Sequence, residues 1–264
     1  MSFSTPGSPP PVDPAPPTPP HPGGPAYAQQ TVPHQPLPGF APQPLRVLRS
    51  PRGFATAATV LLAISALYAL IVTGTGLYVG SVLRDGTYPD AGGTDSLTPP
   101  DALMGLVAVV SLPLLLASAA AFIPWFHRVH GNAEIFNPGA VTRSSGWAIG
   151  AWFIPLGNFF LPYAMAKEIW AASLQLGPDG SFRRVSTAPL TSWWLLWVAS
   201  LIADRVYGSL YGDATDAQEL ASSADASVVY GLLSLAAAVL AIVFVRKLTA
   251  LQTVKAAQGP YAAA

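Results

Sequence analysis

Five long apolar stretches constrain this chain more than any other feature of its sequence. Each contains 19 to 31 residues without a charge and is bounded by charged residues or histidines. At a rise of about 1.5 Å per residue, roughly 20 helical residues cross the ~30 Å hydrocarbon core of a bilayer. One such stretch would suit a buried helix of a soluble protein. Five of them, in a chain with only 10% charged residues, predict an all-α integral membrane protein.

The apolar pattern also predicts how the chain is divided. We expect a Pro-rich cytoplasmic tail over 1–44, a helical membrane domain over 45–250 and a short cytoplasmic tail over 251–264. The predicted apolar segments within the membrane domain are 54–83, 102–126, 146–166, 189–209 and 226–245. No Lys or Arg precedes Arg46 and the first apolar run starts past residue 50, so we expect the first segment to be an uncleaved anchor and not a signal peptide.

Composition removes several function classes. The formal net charge is zero, so no basic surface suggests a nucleic acid partner. The chain has no cysteine, which excludes disulfides, thiol catalysis and Cys-ligated metals. The sequence contains no nucleophile–base pair, no paired acids within a span and no phosphate-binding loop. We therefore expect a non-enzymatic protein without a cofactor.

The N-terminal tail is dominated by proline. Residues 1–44 hold 16 of the 28 prolines in the chain. Proline fixes φ and lacks an amide hydrogen, so neither a helix nor a sheet can propagate here, and we expect disorder with local polyproline II structure. The tail is either a solvated tether or a docking site for a cytoplasmic partner with an aromatic groove.

The basic residues predict orientation. Arg46, Arg49 and Arg52 precede the first span, and basic flanks stay on the cytoplasmic side. If all five segments cross, Lys and Arg divide evenly, six inside and seven outside. If the third segment returns to the side it entered, 11 of 13 are cytoplasmic and only Arg84 and Arg205 are outside. We therefore expect four transmembrane helices plus a re-entrant or interfacial segment in the cell membrane, with both termini cytoplasmic. An ordinary kinked span is the alternative.

The third segment has residues that suit this role. Pro155 removes a helical hydrogen bond, and Gly157 and Asn158 can adopt left-handed conformations. The pattern predicts a helix, a break and a second helix. Backbone groups freed by a break at membrane depth must be covered by protein or water, so we expect the segment to pack against the other spans or to lie in the interface.

Three polar residues form the candidate polar site. Asn158 could bind a ligand at the break, or it could cap the second half-helix. Asp204 and Arg205 follow the uncharged stretch 185–203. If the helix continues past them, Asp204 is an intramembrane acid, a type of residue that often serves as a proton or cation site. If the helix ends at Ala203, the pair lies at the outer interface, which is the arrangement we expect.

A metal site is a further candidate. His127, His130 and Glu134 are spaced i, i+3 and i+7 and share one helix face. Two imidazoles and a carboxylate are suitable metal ligands. However, Gly131 interrupts the helix and no further ligand is evident. We therefore expect histidines that lie at the interface and bind no metal.

Small residues four positions apart predict close helix packing, either within the bundle or in a homo-oligomer. The residues in this pattern are Gly76, Gly80, Gly146, Gly150, Ser227 and Gly231.

Two blocks of the sequence resemble a known family. Residues 125–134 (WFHRVHGNAE) and the aromatic, proline and asparagine pattern of 146–170 are similar to actinobacterial membrane proteins of the domain-of-unknown-function 4328 family. The opening 49–56 also resembles it, and the similarity covers roughly 49–250. The resemblance implies membrane location and a multi-pass architecture. The family has no assigned activity, so it implies no functional residues.

Two functions are consistent with these observations. The first is a membrane scaffold or regulator whose Pro-rich tail engages a cytoplasmic protein. The second is a small carrier or channel in which the broken third segment, with Pro155 and Asn158, lines the path.

Overall fold

Every regular element in the described part of the chain is helical. This computed structural model describes residues 47–88, 98–175, 181, 183 and 185–258, which belong to one unit, 45–264. The six α-helices are α1 (Arg52–Arg84), α2 (Pro99–Phe136), α3 (Trp147–Gly150), α4 (Leu161–Ala172), α5 (Ala188–Asp213) and α6 (Ala217–Gln258). The predicted all-α fold is confirmed. The predicted Pro-rich tail lies outside the described residues.

Three helices are long and apolar enough to cross a membrane, namely α1, α2 and α6. This agrees with the membrane location that the sequence predicts. α5 has 26 residues and is roughly 39 Å long, so its length also suffices. Its apolar character is interrupted by three tryptophans, by the charged pair Asp204 and Arg205 and by several polar residues.

Side chains define the starts of the two longest helices. Thr98 precedes α2, accepts a hydrogen bond from the Asp101 amide and donates to the Asp101 carboxylate. This arrangement resembles a capping box, and prolines in the first turn need no amide partner. Before α6, Asp216 accepts from the Glu219 amide at 2.8 Å, and Glu219 in turn accepts from the Thr215 amide at 2.7 Å.

The long helices pack in the order α2, α1, α6, α5. The seam between α1 and α6 is the closest of these contacts, because glycines stand where helices meet. A Cβ at Gly76 would overlap Ser227 Oγ, and a Cβ at Gly231 would overlap Thr73 Oγ1. Gly76, Ser227 and Gly231 from the sequence pattern therefore meet in one seam.

The other glycines of the pattern have different surroundings. A Cβ at Gly80 would meet only Arg84 of its own helix, and at Gly146 and Gly150 nothing lies within 4 Å. Small residues at this spacing thus formed a seam only where a partner helix crosses them.

An aromatic cluster fills the bundle at the end where α2 leaves its predicted apolar segment. Trp193 stacks on Phe244 at 4.8 Å, and Phe244 meets Trp125 edge to face at 5.5 Å. Trp125 also donates its indole hydrogen to Thr249 at 3.1 Å. Large rings bury extensive apolar surface, so this cluster is the main core of the molecule.

The third apolar segment is broken between α3 and α4. The left-handed residue is Leu156 (φ 60°), and the Gly157 amide donates to the Pro155 carbonyl at 2.7 Å, which closes a γ-turn. Gly157 and Asn158, which are able to adopt left-handed conformations, instead lie in a 3-10 turn, Gly157–Phe159. The expectation that Asn158 caps the following helix is wrong, since α4 has no side-chain cap.

The two flanks of the broken segment lie side by side. Thr142 donates its amide and its hydroxyl to the Glu168 carboxylate at 3.1 and 2.6 Å. Arg143 forms an ion pair with the same carboxylate at 3.4 Å. The chain therefore enters this segment and returns to nearly the same place within 26 residues.

The end of α6 differs from the sequence prediction. Residues 251–258, expected in a short tail, continue the helix to Gln258. Gln252 and Lys255 are buried there, because this turn of α6 packs against α2 and the end of α4. Residues 259–264 lie outside the described part of the chain.

Candidate functional site

A cavity of 470 Å³ lies between the four long helices, at the height of the middle of the predicted apolar segments. A second cavity of 240 Å³ adjoins it toward the α5–α6 connection. The two share five lining residues: Tyr68, Val72, Ser111, Asp204 and Tyr230. Sites for small ligands have volumes of about 300 to 1,000 Å³, so the larger cavity is within that range.

Asp204 lies where the two cavities join. Among the residues that line them, all within the described part of the chain, it is the only one with a formal charge. α5 continues to Asp213, which places Asp204 roughly 13 Å before the helix end. The expectation that the helix ends at Ala203 is therefore wrong. The helix can continue because Val206–Leu210 contains apolar and aromatic residues beside small ones.

The surroundings of Asp204 are polar but uncharged. Tyr68, Tyr207 and Tyr230 line the smaller cavity with it. Tyr68 is at the midpoint of α1 and donates its hydroxyl hydrogen to the Val107 carbonyl at 3.0 Å. No hydrogen bond or ion pair from the described residues engages the Asp204 carboxylate, which leaves it available to a ligand.

Serines extend the polar lining into the larger cavity. Ser65 and Ser118 share a hydrogen bond of 3.2 Å between α1 and α2. Ser200 and Ser234 line the same cavity from α5 and α6. Most of the remaining lining is aliphatic or aromatic, and this combination of an apolar wall with a few polar groups is typical of small-molecule sites.

Tryptophans close one end of the larger cavity. Trp193 and Trp197 line it from α5, and Trp152 reaches it from the broken third segment. Trp152 meets Trp197 edge to face at 6.0 Å and Phe122 at 5.6 Å. The third segment therefore contributes a ring to the floor of the cavity. Indole faces also attract cations.

The other two residues of the predicted polar site do not line these cavities. Arg205 is exposed and lies about 100° around α5 from Asp204. Asn158 lies in the break, and its Oδ1 atom is buried and accepts no hydrogen bond from the described residues. Pro155 is exposed. The structure thus separates Asn158 from Asp204, which the sequence could not do.

The candidate metal ligands His127, His130 and Glu134 are not brought together as one ligand group. Among the residues the structure describes, no group of three or more His, Cys, Asp or Glu side chains could hold a metal. His130 is fully buried 3.6 Å from Glu134, whereas His127 is partly exposed. A shared helix face did not bring the three side chains to one point. Neighbouring elements cover His130, whereas His127 lies at the edge.

A second group of buried polar residues was not predicted. Asn132 accepts from the Arg49 amide at 3.0 Å, and it donates to the Arg49 carbonyl at 2.8 Å and to Gln252 at 3.1 Å. Gln252 donates to the Val129 carbonyl and to Ser173. These bonds join the chain before α1, the end of α2, the end of α4 and α6. We call Asn132, Gln252 and Ser173 the amide cluster.

Lys255 has a related role beside the amide cluster. Its ammonium group is buried and donates to the Ala172 and Leu174 carbonyls at 2.9 and 2.8 Å. The last carbonyls of a helix have no intrahelical partner, and a cation there is favoured by the helix dipole. Lys255 therefore completes the end of α4.

Two signals in the sequence could have indicated these residues. Val245, Leu248, Gln252 and Lys255 are three or four positions apart, which continues the buried face of α6 past its apolar segment. Tyr68 is a polar aromatic residue at the centre of an apolar run. A side chain that contacted only lipid would need no hydroxyl group there, so Tyr68 indicated a polar contact inside the bundle. No local pattern in the sequence indicated that Tyr68, Asp204 and Tyr230 would meet.

A family model described as a domain of unknown function, DUF4328, matches residues 92–250, more than half of the chain. The chain belongs to this family. The match in this DUF4328 protein runs from just before α2 to within α6, and α1 lies outside it. Comparisons with curated proteins and with solved structures found no match. The actinobacterial source implied by the resemblance stays a prediction.

Proposed function

We propose that this DUF4328 protein is a non-enzymatic membrane protein that binds a small cationic ligand in the cavity around Asp204. The observation that carries the proposal is a lone carboxylate on a cavity within a helical bundle. A charged side chain at membrane depth is costly and is retained where it has a partner. Since the other lining residues are uncharged, the partner that suits Asp204 is a cation brought by the ligand.

The proposal includes a topology of four crossings in the cell membrane, made by α1, α2, α5 and α6, with both termini cytoplasmic. α5 is included because it packs along α6 and supplies one wall of the cavity. The third segment enters and leaves on one side, which the contacts of Thr142 and Arg143 with Glu168 across its two flanks support. The count of basic residues favours the cytoplasm as that side.

The carrier interpretation placed the ligand path at the broken third segment. The site proposed here is instead the cavity at Asp204. The ligand would contact α5 at Asp204, and the broken segment would contribute Trp152 at the cavity floor. The scaffold or regulator role that the Pro-rich tail suggests, through a cytoplasmic protein partner, stays a prediction, because residues 1–46 lie outside the described part of the chain.

Fluorescence can test the binding directly, because Trp152, Trp193 and Trp197 line the cavity. The full chain in lipid nanodiscs is titrated with 4-bromobenzylamine, whose bromine quenches tryptophan. We expect a saturable component of quenching that Asp204→Asn weakens roughly tenfold or more, since a charge-assisted hydrogen bond contributes about 1.5–3 kcal/mol.

Two controls make this test specific. Asp213→Asn changes an exposed acid of the same helix and should leave the binding unchanged. The neutral analogue 4-bromobenzyl alcohol should bind wild type as weakly as the amine binds Asp204→Asn. Equal quenching of wild type and Asp204→Asn by the amine would refute the proposal.

A further inference from the structure

The larger cavity has an opening on the side where α2 faces α5. Among the described residues, α2 packs on α1 and α5 packs on α6, but α2 and α5 make no extended contact with each other. α1 and α6 therefore form the back of the cavity, and α2 and α5 form its two sides. No helix of the described residues crosses the front.

The rim of this opening is apolar and exposed. Leu112 and Leu115 line the cavity and are nevertheless 59% and 63% exposed. Both lie near the middle of the predicted apolar segment 102–126, a level at which an exposed leucine meets lipid chains. The opening is therefore at hydrocarbon depth, away from either aqueous surface.

The interior differs from the rim. Behind the leucines lie serines and tyrosines of α1, α5 and α6, and the Asp204 carboxylate lies beyond them. A ligand that fits this gradient has an apolar body against the leucine rim and one amino group at Asp204.

We propose that the occupant is a lipophilic amine, which enters sideways from the bilayer between α2 and α5. This inference rests on the proposed function, since it needs Asp204 as the anchor. It adds the class of ligand and the route. An amine can leave its proton in the interfacial water and cross the hydrocarbon uncharged. Water that reaches Asp204 through the smaller cavity then returns a proton to the amine, so no charge has to travel through lipid.

The route is tested by blocking the rim covalently. The chain has no native cysteine, so a single Leu115→Cys variant can be labelled with benzyl methanethiosulfonate. The matched control is Leu116→Cys, because Leu116 is 60% exposed on the same helix but does not line the cavity. The probe is 11-bromoundecylamine, and the readout is the part of tryptophan quenching that Asp204→Asn abolishes.

We expect the labelled Leu115→Cys protein to bind the long amine at least tenfold more slowly than the labelled Leu116→Cys protein. Equal rates in the two labelled proteins, with Asp204-dependent quenching intact, would overturn lateral entry and leave the cation site standing. If wild type shows no Asp204-dependent quenching by either bromoamine, both the route and the proposed function are refuted. 4-Bromobenzylamine could also bind faster than the long amine, at a rate that the label does not change. That result would indicate entry from water and would also overturn this inference.

Discussion

At the scale of single residues, Asn132 and Asn158 have opposite surroundings. Asn132 uses both ends of its amide, toward Arg49 and Gln252. Asn158 drew attention in the sequence because it follows Pro155, but its Oδ1 atom accepts no hydrogen bond from the described residues. Position beside a helix break was therefore a poor guide to which amide holds the structure together.

We expect Asn132→Ala to lower the free energy of unfolding by about 2–3 kcal/mol, because it removes the hydrogen-bond partner of the buried Gln252 amide oxygen and of the Arg49 backbone amide and carbonyl. The matched change Asn158→Ala should stay within about 0.5 kcal/mol, since no protein hydrogen bond is lost. Denaturant unfolding in a mild detergent, followed by tryptophan fluorescence, compares the two. A larger loss for Asn158→Ala than for Asn132→Ala would contradict this assignment.

At the scale of elements, the contact between α1 and α6 depends on glycine where the two helices cross. Gly76 meets Ser227, and Gly231 meets Thr73 and the Ala69 carbonyl. Gly208 on α5 has the same helical setting but nothing within 4 Å of its missing Cβ. The same residue type is therefore a packing requirement in one helix and only a conformational cost in another.

Gly231→Ala should destabilise the bundle by about 1–3 kcal/mol, because the added methyl group overlaps Thr73 and forces the helices apart. Gly208→Ala should be neutral or stabilise by up to about 1 kcal/mol, because alanine favours a helix and the space is open. Thermal unfolding in detergent of the two variants provides the measurement. If both substitutions shift the midpoint in the same direction by the same amount, the seam does not depend on Gly231.

At the scale of the whole molecule, the decisive feature is the return of the third segment to its starting level. The contacts of Thr142 and Arg143 with Glu168 close a hairpin, and Trp152 at its inner end reaches the cavity. Together with the counting of basic residues, this geometry supports a topology in which both flanks of the hairpin face the cytoplasm.

Single cysteines test this topology in intact cells, because the chain has no native cysteine. Cysteines at Ser144 and Ser181 should both resist an impermeant thiol reagent added outside. A cysteine at Thr215, in the α5–α6 connection, should be labelled and serves as the external control. Labelling at 181 together with protection at 144 would demonstrate a fifth crossing.

The sequence by itself determined the class of the protein and the approximate length of its elements. Apolar runs of sufficient length predicted α1, α2 and α6, and the basic residues beside them predicted an orientation, because both depend on transfer between water and lipid. Pro155 predicted the break in the third segment, because a missing amide acts locally.

Tertiary structure alone decided where the polar residues meet. Asp204, Tyr68 and Tyr230 come from three helices, and only the order α2, α1, α6, α5 brings them to one cavity. The same is true of Asn132 and Gln252, which are 120 positions apart. His127, His130 and Glu134 were close in sequence and formed no site. Helix periodicity places side chains on a face, but the packing of distant elements determines what that face contacts.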